Sequence, residues 1–333
     1  MRHVTPTRSL LARLPALTLV LPLLAVITAG CGEGELPDLS PTPGPPVEAT
    51  PVEAAPPGPV TVHDREFLFL SMARDSTLIV PWFFRAFDGP DRVLRRVQLW
   101  VSRAGSWEAL VREEIETAPT RSPWQILPVP GIRPGIGDDD RVESLRMSGG
   151  GREVETRIDA FVTDWIPPGG DAVWLSEGRT LFPSGEVEGF VVEVNRRWQS
   201  PDGGRSDWIF LHSGTQLQLF LEGTAPRSAS QASAPYRGWS RLAFQNATWR
   251  ILEIEWGELR PFEPARRDIP STWLISSPGG EIVGEIAATS SHLVVGEGEG
   301  PILPVSGFFA VEGTVGVRGE SFEVVGVVRH EQR

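Results

Sequence analysis

From His63 onward the chain consists of short runs in which apolar and polar residues alternate, and Gly, Pro, Asp or Ser separates one run from the next. A period of two places the apolar side chains on one face of an extended strand, and the separating residues favour turns. Pro and Gly make up about a fifth of the chain, against a usual share of about 12%. The pattern predicts many short antiparallel strands and excludes a fold of long helices.

One segment fits two structures. Residues 97–101 and 107–111 each alternate, with a possible turn at 102–105, which predicts a hairpin. A helix over 91–115 is the alternative, because Val93, Val97 and Trp100 also fit one helical face; we favour the hairpin. Further strands are predicted over 154–162, 190–194, 208–211, 216–221, 252–256, 272–275, 281–287, 308–317 and 321–328. Such spacing is typical of antiparallel sheets closed, or nearly closed, into barrels or sandwiches.

Composition removes several classes of function. All 31 basic residues are Arg and none is Lys, which excludes Schiff-base chemistry and a phosphate-loop lysine. The formal net charge is −12, so nucleic acids and anionic lipid surfaces are not expected as partners. The Gly-rich stretches 147–151 and 296–300 lack a following Lys or helix start, and we interpret them as loops rather than phosphate sites.

The single cysteine, Cys31, follows an apolar run over residues 16–30 that is too short for a comfortable membrane span. Arg residues precede the run, and Thr28, Ala29 and Gly30 end it, which is the layout of a bacterial lipoprotein signal peptide over 1–30. An ordinary secretory peptide is the alternative. We therefore expect an exported protein whose lipidated Cys31 anchors it in the bacterial cell envelope.

Residues 31–62 contain nine prolines and five acids but no aromatic residue to nucleate a core. Such a composition indicates an extended Pro-rich tether. The N-terminal lipid would then be the only membrane contact.

Seven sets of residues occur in an order found in a known family. They are His63–Phe69, Phe83–Arg85, Val194–Trp198, Asp207–Leu211, Ser213–Leu217, Pro270–Trp273 and the glycines Gly307, Gly313 and Gly326. In this order they resemble the lipocalin-like family of carotenoid 1,2-hydratases and their AttH-like relatives. The resemblance implies an all-β fold of two consecutive lipocalin-like β-barrel domains, which we place at 63–186 and 187–333.

The departures from the family pattern bear on catalysis. Of the family's Glu-Trp-Trp-Tyr motif, only Glu66 is intact. The family's Asp-Arg-Glu-Trp motif corresponds to residues 195–198, where Asn195 and Arg197 replace the two acids. Its Tyr-Trp-Glu-Gly motif corresponds to residues 304–307, which read Pro-Val-Ser-Gly. Hydration of an isoprenoid double bond needs a strong general acid in a dry aromatic pocket. Because the chain has 12 Trp and 15 Phe, we still expect an apolar pocket, although those acids are lost.

Candidate catalytic residues are Asp207, a surviving carboxylate whose pKa an apolar cavity would raise, and Glu66. Glu66 and Arg85 could instead form a buried ion pair. Candidate ligand-binding residues are Arg85, Asn195, Trp198, Trp208 and Trp273; each Trp could equally be core.

The sequence contains no pattern typical of a metal site or of a serine hydrolase. The histidines of the mature chain show no paired ligand spacing, and residues 138–140 lack the other ligands of a calcium loop, so no metal or other cofactor is expected. A Gly-x-Ser-x-Gly motif does not occur.

Three functions remain open. The first is binding of an apolar small molecule, an isoprenoid or lipid, without strong catalysis. The second is a hydratase, isomerase or cyclase that acts through Asp207 or Glu66. The third is a structural module without a cavity. The sequence indicates no particular protein partner.

Overall fold

The computed structural model describes residues 60–73, 77–138, 140–167, 171–199, 207–223, 234–296 and 300–332. Cys31, the predicted signal peptide and the predicted tether up to residue 59 lie outside these ranges. Residues 60–62 of the predicted tether are described: Val60 and Val62 are buried, and Thr61 begins the first strand. Among the described residues, no helix is both long enough and apolar enough to cross a membrane.

The described chain is almost entirely β-structure, as expected. The first nine strands are β1 (Thr61–Ser71), β2 (Leu78–Asp88), β3 (Val93–Arg103), β4 (Ser106–Thr117), β5 (Ile132–Ile136), β6 (Val142–Gly149), β7 (Arg152–Trp165), β8 (Ala172–Phe182) and β9 (Gly185–Gln199). They form one antiparallel sheet in the order β4-β3-β2-β1-β9-β8-β7-β6-β5. Residues of β1, β2 and β3 share a core with residues of β6 and β7 at the far side of the sheet, so the sheet curls into a half-barrel.

The remaining strands build a closed barrel and a small hairpin. They are β10 (Asp207–Ser213), β11 (Leu217–Gly223), β12 (Ala234–Leu242), β13 (Gln245–Trp256), β14 (Leu259–Phe262), β15 (Arg267–Pro270), β16 (Thr272–Ser276), β17 (Ile282–Val295), β18 (Val305–Val317) and β19 (Glu320–Gln332), with a 3-10 turn η1 (Glu263–Ala265). The barrel order is β10-β11-β12-β13-β16-β17-β18-β19, and β14 pairs with β15.

The hairpin predicted over residues 97–111 is confirmed and the alternative helix is wrong. β3 and β4 pair from Val93↔Thr117 to Arg103↔Ser106. Ala104 and Gly105 form the turn with positive φ angles of 46° and 81°, the conformation that suits the twist of a two-residue hairpin.

The two sheets divide later than the predicted boundary between residues 186 and 187. β9 crosses that boundary and pairs with β1 and β8 of the first sheet. The barrel begins at Asp207 with β10, which pairs with β11 and β19. β9 returns beside the first strand of its own sheet, a long-range pairing that local patterning does not encode.

Three large cores follow from the alternation along the strands, and a small fourth cluster joins Val60, Val62, Phe87 and Leu94, with Trp198 packed against it. The inner face of the half-barrel holds side chains such as Phe67 and Trp82, and the barrel interior holds Ile209, Trp273 and Phe309. A third core joins the opposite face of the half-barrel to the outside of the barrel. We call this third core the intersheet layer; Leu68 and Phe190 enter it from the half-barrel, and Trp208, Phe210 and Phe308 from the barrel.

Candidate functional site

The candidate site residues are distributed over several cores rather than gathered in one pocket. Trp208 belongs to the intersheet layer and Glu66 is bonded to it. Arg85 and Trp198 contact each other beside the small fourth cluster. Asn195 lies on the inner face of the half-barrel, while Asp207 and Trp273 lie inside the closed barrel. Neighbouring residues of a strand point to opposite faces, which is why Asn195 is separated from its motif neighbours.

The predicted pair between Glu66 and Arg85 is wrong. Arg85 donates two hydrogen bonds to Asp64, from Nε to Oδ1 at 2.6 Å and from Nη2 to Oδ2 at 2.7 Å. Asp64 is 1% exposed, and burial raises the pKa of its carboxyl while Arg85 acts to lower it. Arg85 also lies over the ring of Trp198 at 5.0 Å, so these two candidates are in contact.

Glu66 serves a different partner. Its Oε2 accepts a hydrogen bond of 3.0 Å from Trp208 Nε1, which links the half-barrel directly to the barrel. Its Oε1 is buried without a hydrogen bond from any residue that the structure describes and lies 3.9 Å from Arg196 Nη1 and 3.7 Å from Arg329 Nε. Glu66 thus sits between two buried guanidinium groups in the intersheet layer.

The charges around Glu66 form a network. Arg196 Nε lies 2.7 Å from Asp171 Oδ2. Burial acts to lower the pKa of Arg196, but the attraction of Glu66 and Asp171 outweighs it and the pKa is raised. A neighbouring carboxyl, that of Glu222, has its pKa raised by burial and by Asp171, although Arg237 pairs with it at 2.6 Å.

Asp207 points into the barrel and is fully engaged. Its Oδ2 lies 2.9 Å from His330 Nδ1, and its Oδ1 accepts a hydrogen bond of 2.7 Å from the backbone N–H of Glu331. The exposed fractions of Asp207 and His330 are 1% and 0%, and the rings of Trp256 and Phe309 pack on His330 at 5.7 and 5.8 Å. Burial, and then the charge of Asp207, raise the pKa of Tyr236 well above its ordinary value.

Trp273 belongs to the barrel core. It is 1% exposed and meets the ring of Phe309 edge-on at 5.1 Å. Trp208 is 0% exposed and stacks on Phe220 in the intersheet layer. Both residues therefore have structural contacts that account for their burial.

Asn195 lines a cavity of about 600 Å³ on the inner face of the half-barrel, which we call the calyx. Arg65 Nε donates to Asn195 Oδ1 at 3.2 Å, and Arg65 Nη2 donates to Glu193 Oε1 at 2.6 Å. Asn195 Nδ2 also donates to Glu193 Oε1 at 3.1 Å. Three polar side chains thus hold one another in place at the wall of the calyx.

The rest of the calyx wall mixes apolar and charged groups. The lining comprises Arg65, Asp140, Arg141, Val142, Glu143, Ser144, Glu155, Arg157, Ile158, Asp159, Phe161, Trp174, Ser176, Val191, Glu193 and Asn195. Val191 and Val142 are buried, whereas Phe161 is 53% exposed at the rim. This arrangement can hold an apolar body and meet polar groups near the opening.

Sequence reasoning missed several residues of these clusters. Asp64 could have been predicted from the sequence, because it lies two residues before Glu66 on a strand and its side chain therefore lies on the same face. Arg196 lies inside the Val194–Trp198 set but was not chosen as a candidate, and Arg329 had no signal. Only the pairing of β9 with β1 and of β19 with β10 brings these two residues to Glu66. Among the described residues, no group of three or more His, Cys, Asp or Glu side chains could hold a metal ion.

The comparisons with known proteins concern the fold. No family model matches the sequence, and no curated protein is significantly similar to it. Among solved structures, kievitone hydratase from Nectria haematococca aligns with a TM-score of 0.50 and 14% identity over 80% of this chain and 87% of its own.

Two further structures align over a similar extent. A putative AttH from Nitrosomonas europaea has a TM-score of 0.52 and 11% identity over 81% of this chain and 92% of its own. CghA, solved with Sch210972, has a TM-score of 0.51 and 10% identity over 82% and 88%. The resemblance read from the sequence is therefore confirmed at the level of the fold: this chain has the two-domain lipocalin-like architecture of the AttH-like and hydratase structures.

Proposed function

We propose that this chain is an exported lipoprotein, anchored through Cys31, that binds a hydrophobic small molecule such as an isoprenoid or lipid in the calyx without strong catalysis. The observation that carries the proposal is the calyx cavity of about 600 Å³. Sites for small ligands typically measure about 300–1,000 Å³ and combine apolar walls with a few fixed polar groups. A purely structural module would not need such a cavity.

The calyx offers both kinds of surface. Val142, Ile158, Val191 and Trp174 provide apolar wall. The cluster of Arg65 with its two partners provides fixed polar groups, already oriented before a ligand arrives. Preorganised groups reduce the entropy lost on binding. The ligand that fits best has an apolar body and at least one polar group.

The burial of the candidate acids argues against catalysis. Asp207 is 1% exposed and Glu66 is 3% exposed. A general acid must come within hydrogen-bond reach of its substrate, and large side chains surround both carboxyls. A substrate would have to open the barrel or part the two sheets to reach either one.

The test begins with the full-length chain purified in detergent from its own host. Native mass spectrometry and organic extraction would identify a molecule that travels with it. We then compare Ile158→Trp, which places a large ring in the calyx, with the matched change Ile251→Trp on the exposed outside of the barrel.

The proposal expects the bound molecule to disappear from Ile158→Trp and to remain in Ile251→Trp. Retention by both variants would place the ligand elsewhere. A clean apo mass, with no uptake of isoprenoids or fatty acids offered in excess, would favour a structural module instead.

The second candidate function is a hydratase, isomerase or cyclase that uses Asp207 or Glu66. One observation favours it: Glu66 Oε1 is buried without a hydrogen-bond partner among the described residues, beside two guanidinium groups. If the extracted molecule is converted on incubation with the protein, Glu66→Gln and Asp207→Asn should each be tested for loss of turnover. Turnover that neither variant changes would reject both residues.

A further inference from the structure

Three polar side chains of the calyx meet because β1 pairs with β9. Arg65 lies opposite Asn195 in this ladder, and Glu193, two residues before Asn195, projects from the same face. All three side chains line the calyx. We call them the calyx cluster.

The calyx cluster is flanked by apolar side chains. Phe67 follows Arg65 on the same face of β1, and the guanidinium carbon lies 5.3 Å from the centre of its ring. Trp174 lies opposite Glu193 in the pairing of β8 with β9, and Val191, two residues before Glu193, is buried. A chain that packs against these apolar groups places its polar end beside the calyx cluster.

The charges of the calyx cluster neutralise each other. Arg65 Nη2 donates to Glu193 Oε1 at 2.6 Å, and Asn195 Nδ2 donates to the same oxygen at 3.1 Å. The side chains of Arg65 and Glu193 are each 16% exposed. A carboxylate near Arg65 also meets Glu193, and an ammonium group near Glu193 also meets Arg65. Either ion would lose hydration without gaining a net opposite charge.

A hydroxyl group can use the same side chains without disturbing the pair. A guanidinium has five N–H donors, and a carboxylate has two acceptor oxygens. The bonds within the calyx cluster use Nε and Nη2 of Arg65 and only Oε1 of Glu193. A hydroxyl both donates and accepts, so it can bond to either partner while the two charges stay matched.

The other charged groups of the calyx lining give no preference for an ionic ligand. Arg157 donates to Glu155 at 2.7 Å, and Arg179 donates to Asp159 at 3.2 Å, so these charges are paired. The remaining three are exposed to water, which screens their charges; they are Asp140, Arg141 and Glu143.

We propose that the calyx selects an apolar molecule whose polar group is uncharged, and that a hydroxyl is the group it fits best. This inference rests on the proposed function, because it concerns the ligand of the calyx. It narrows the ligand from isoprenoids and lipids in general to alcohols, and it excludes the anions of fatty acids.

The test compares three molecules that share one chain: 1-octanol, octanoate and octylammonium. Each is titrated into the full-length protein in detergent by isothermal titration calorimetry at about pH 7, where the acid and the amine are both charged. The heats measured with Ile158→Trp, whose calyx is filled, are subtracted to remove partitioning into micelles. The unmodified protein should bind octanol at least about tenfold more tightly than either ion, because a buried group left uncompensated costs at least that much.

Two substitutions should change this preference in opposite directions. Glu193→Gln leaves Arg65 without its anion, so octanoate should gain about tenfold relative to octanol. Arg65→Gln leaves Glu193 without its cation and should favour octylammonium by a similar factor. The double variant has neither charge and should prefer octanol again. It serves, with the order in the unmodified protein, if a single variant fails to fold.

The matched control is Glu116→Gln, which removes an exposed acid outside the calyx and should change these ratios by less than about twofold. Tighter binding of either ion by the unmodified protein, or ratios that neither Glu193→Gln nor Arg65→Gln shifts, would overturn the inference and leave the calyx as the ligand site. If no probe binds, or if Ile158→Trp binds all three as the unmodified protein does, the proposed function fails together with this inference.

Discussion

Asp64 and Arg85 form a two-pronged ion pair, in which each carboxylate oxygen accepts one hydrogen bond from the guanidinium. Removal of the guanidinium in Arg85→Gln leaves the buried carboxylate of Asp64 without its cation. We expect this change to lower the free energy of unfolding by about 3 kcal/mol. Glu116→Gln breaks the exposed pair with Arg92 and should cost less than about 1 kcal/mol. Urea denaturation of both variants measures the difference; similar losses would contradict this ranking.

The same carboxyl makes stability depend on pH. Its pKa in the folded protein is raised above the ordinary 3.8, so the folded state holds this proton more strongly than the unfolded state does. The resulting stabilisation is fully present below about pH 4 and is lost as pH rises through the raised pKa. Denaturation at several pH values should show the unmodified protein losing stability relative to Asp64→Asn over that window. A constant difference between the two proteins would show that Asp64 does not titrate there.

Single residues also mark the limit of sequence reasoning about the site. The motifs around Glu66 and Asp207 were found, but each candidate's partner came from a distant strand. Arg329 reaches Glu66 from the last strand, and His330, one residue later, turns into the barrel toward Asp207. Strand alternation predicts that Arg329 and His330 point to opposite faces. Only the register of β19 on β10 determines which side chains each of them contacts.

At the level of elements, the glycines of the last strands mark close backbone crossings. A Cβ at Gly313 would clash with the backbone oxygen of Glu285, whereas one at Gly149 would meet nothing within 4 Å. We expect Gly313→Ala to lower the free energy of unfolding by about 3 kcal/mol, and Gly149→Ala to change it by less than about 1 kcal/mol. Equal effects, measured by thermal or urea unfolding, would mean that the β17–β18 pair can move apart cheaply.

The turn between β12 and β13 carries strain that a substitution should relieve. Ala243 and Phe244 have φ angles of 46° and 72°, and Phe244 is 72% exposed. The left-handed region costs a non-glycine residue about 1–2 kcal/mol. Phe244→Gly should therefore raise the free energy of unfolding by about 1 kcal/mol, despite the lost contact of Arg241 with the ring. A lower melting temperature in this variant would show that the ring contact outweighs the strain.

The strands were largely predictable from the sequence. The segment that fitted either a hairpin over residues 97–111 or a helix over 91–115 was ambiguous for a physical reason. β3 is buried on both faces, since Val97 and Leu99 enter the core of the half-barrel while Trp100 enters the intersheet layer. A strand covered on both sides loses its alternation and can mimic a helical face. The alternation in β13 is clear because only one of its faces is buried.

For the whole molecule, the intersheet layer makes the half-barrel and the barrel depend on each other. Phe210, Phe220 and Phe308 project from the outside of the barrel and are 1%, 2% and 4% exposed. They are covered by the opposite sheet, with Glu66 and Trp208 bonded across the layer. The sequence predicted two barrels but not this shared core, because an outward-facing aromatic residue of a barrel has the same sequence pattern as an inward-facing one.

This shared core predicts that the two sheets unfold together. Separation would expose three Phe side chains of the barrel and leave Glu66 without its indole donor, so a state with only one sheet folded is unfavourable. We expect one urea transition, with the same midpoint by far-UV circular dichroism and by tryptophan fluorescence. Phe210→Ala should lower that midpoint by the equivalent of about 3–5 kcal/mol and keep the two probes coincident. Two separate midpoints in the unmodified protein would show that each sheet is stable without the other.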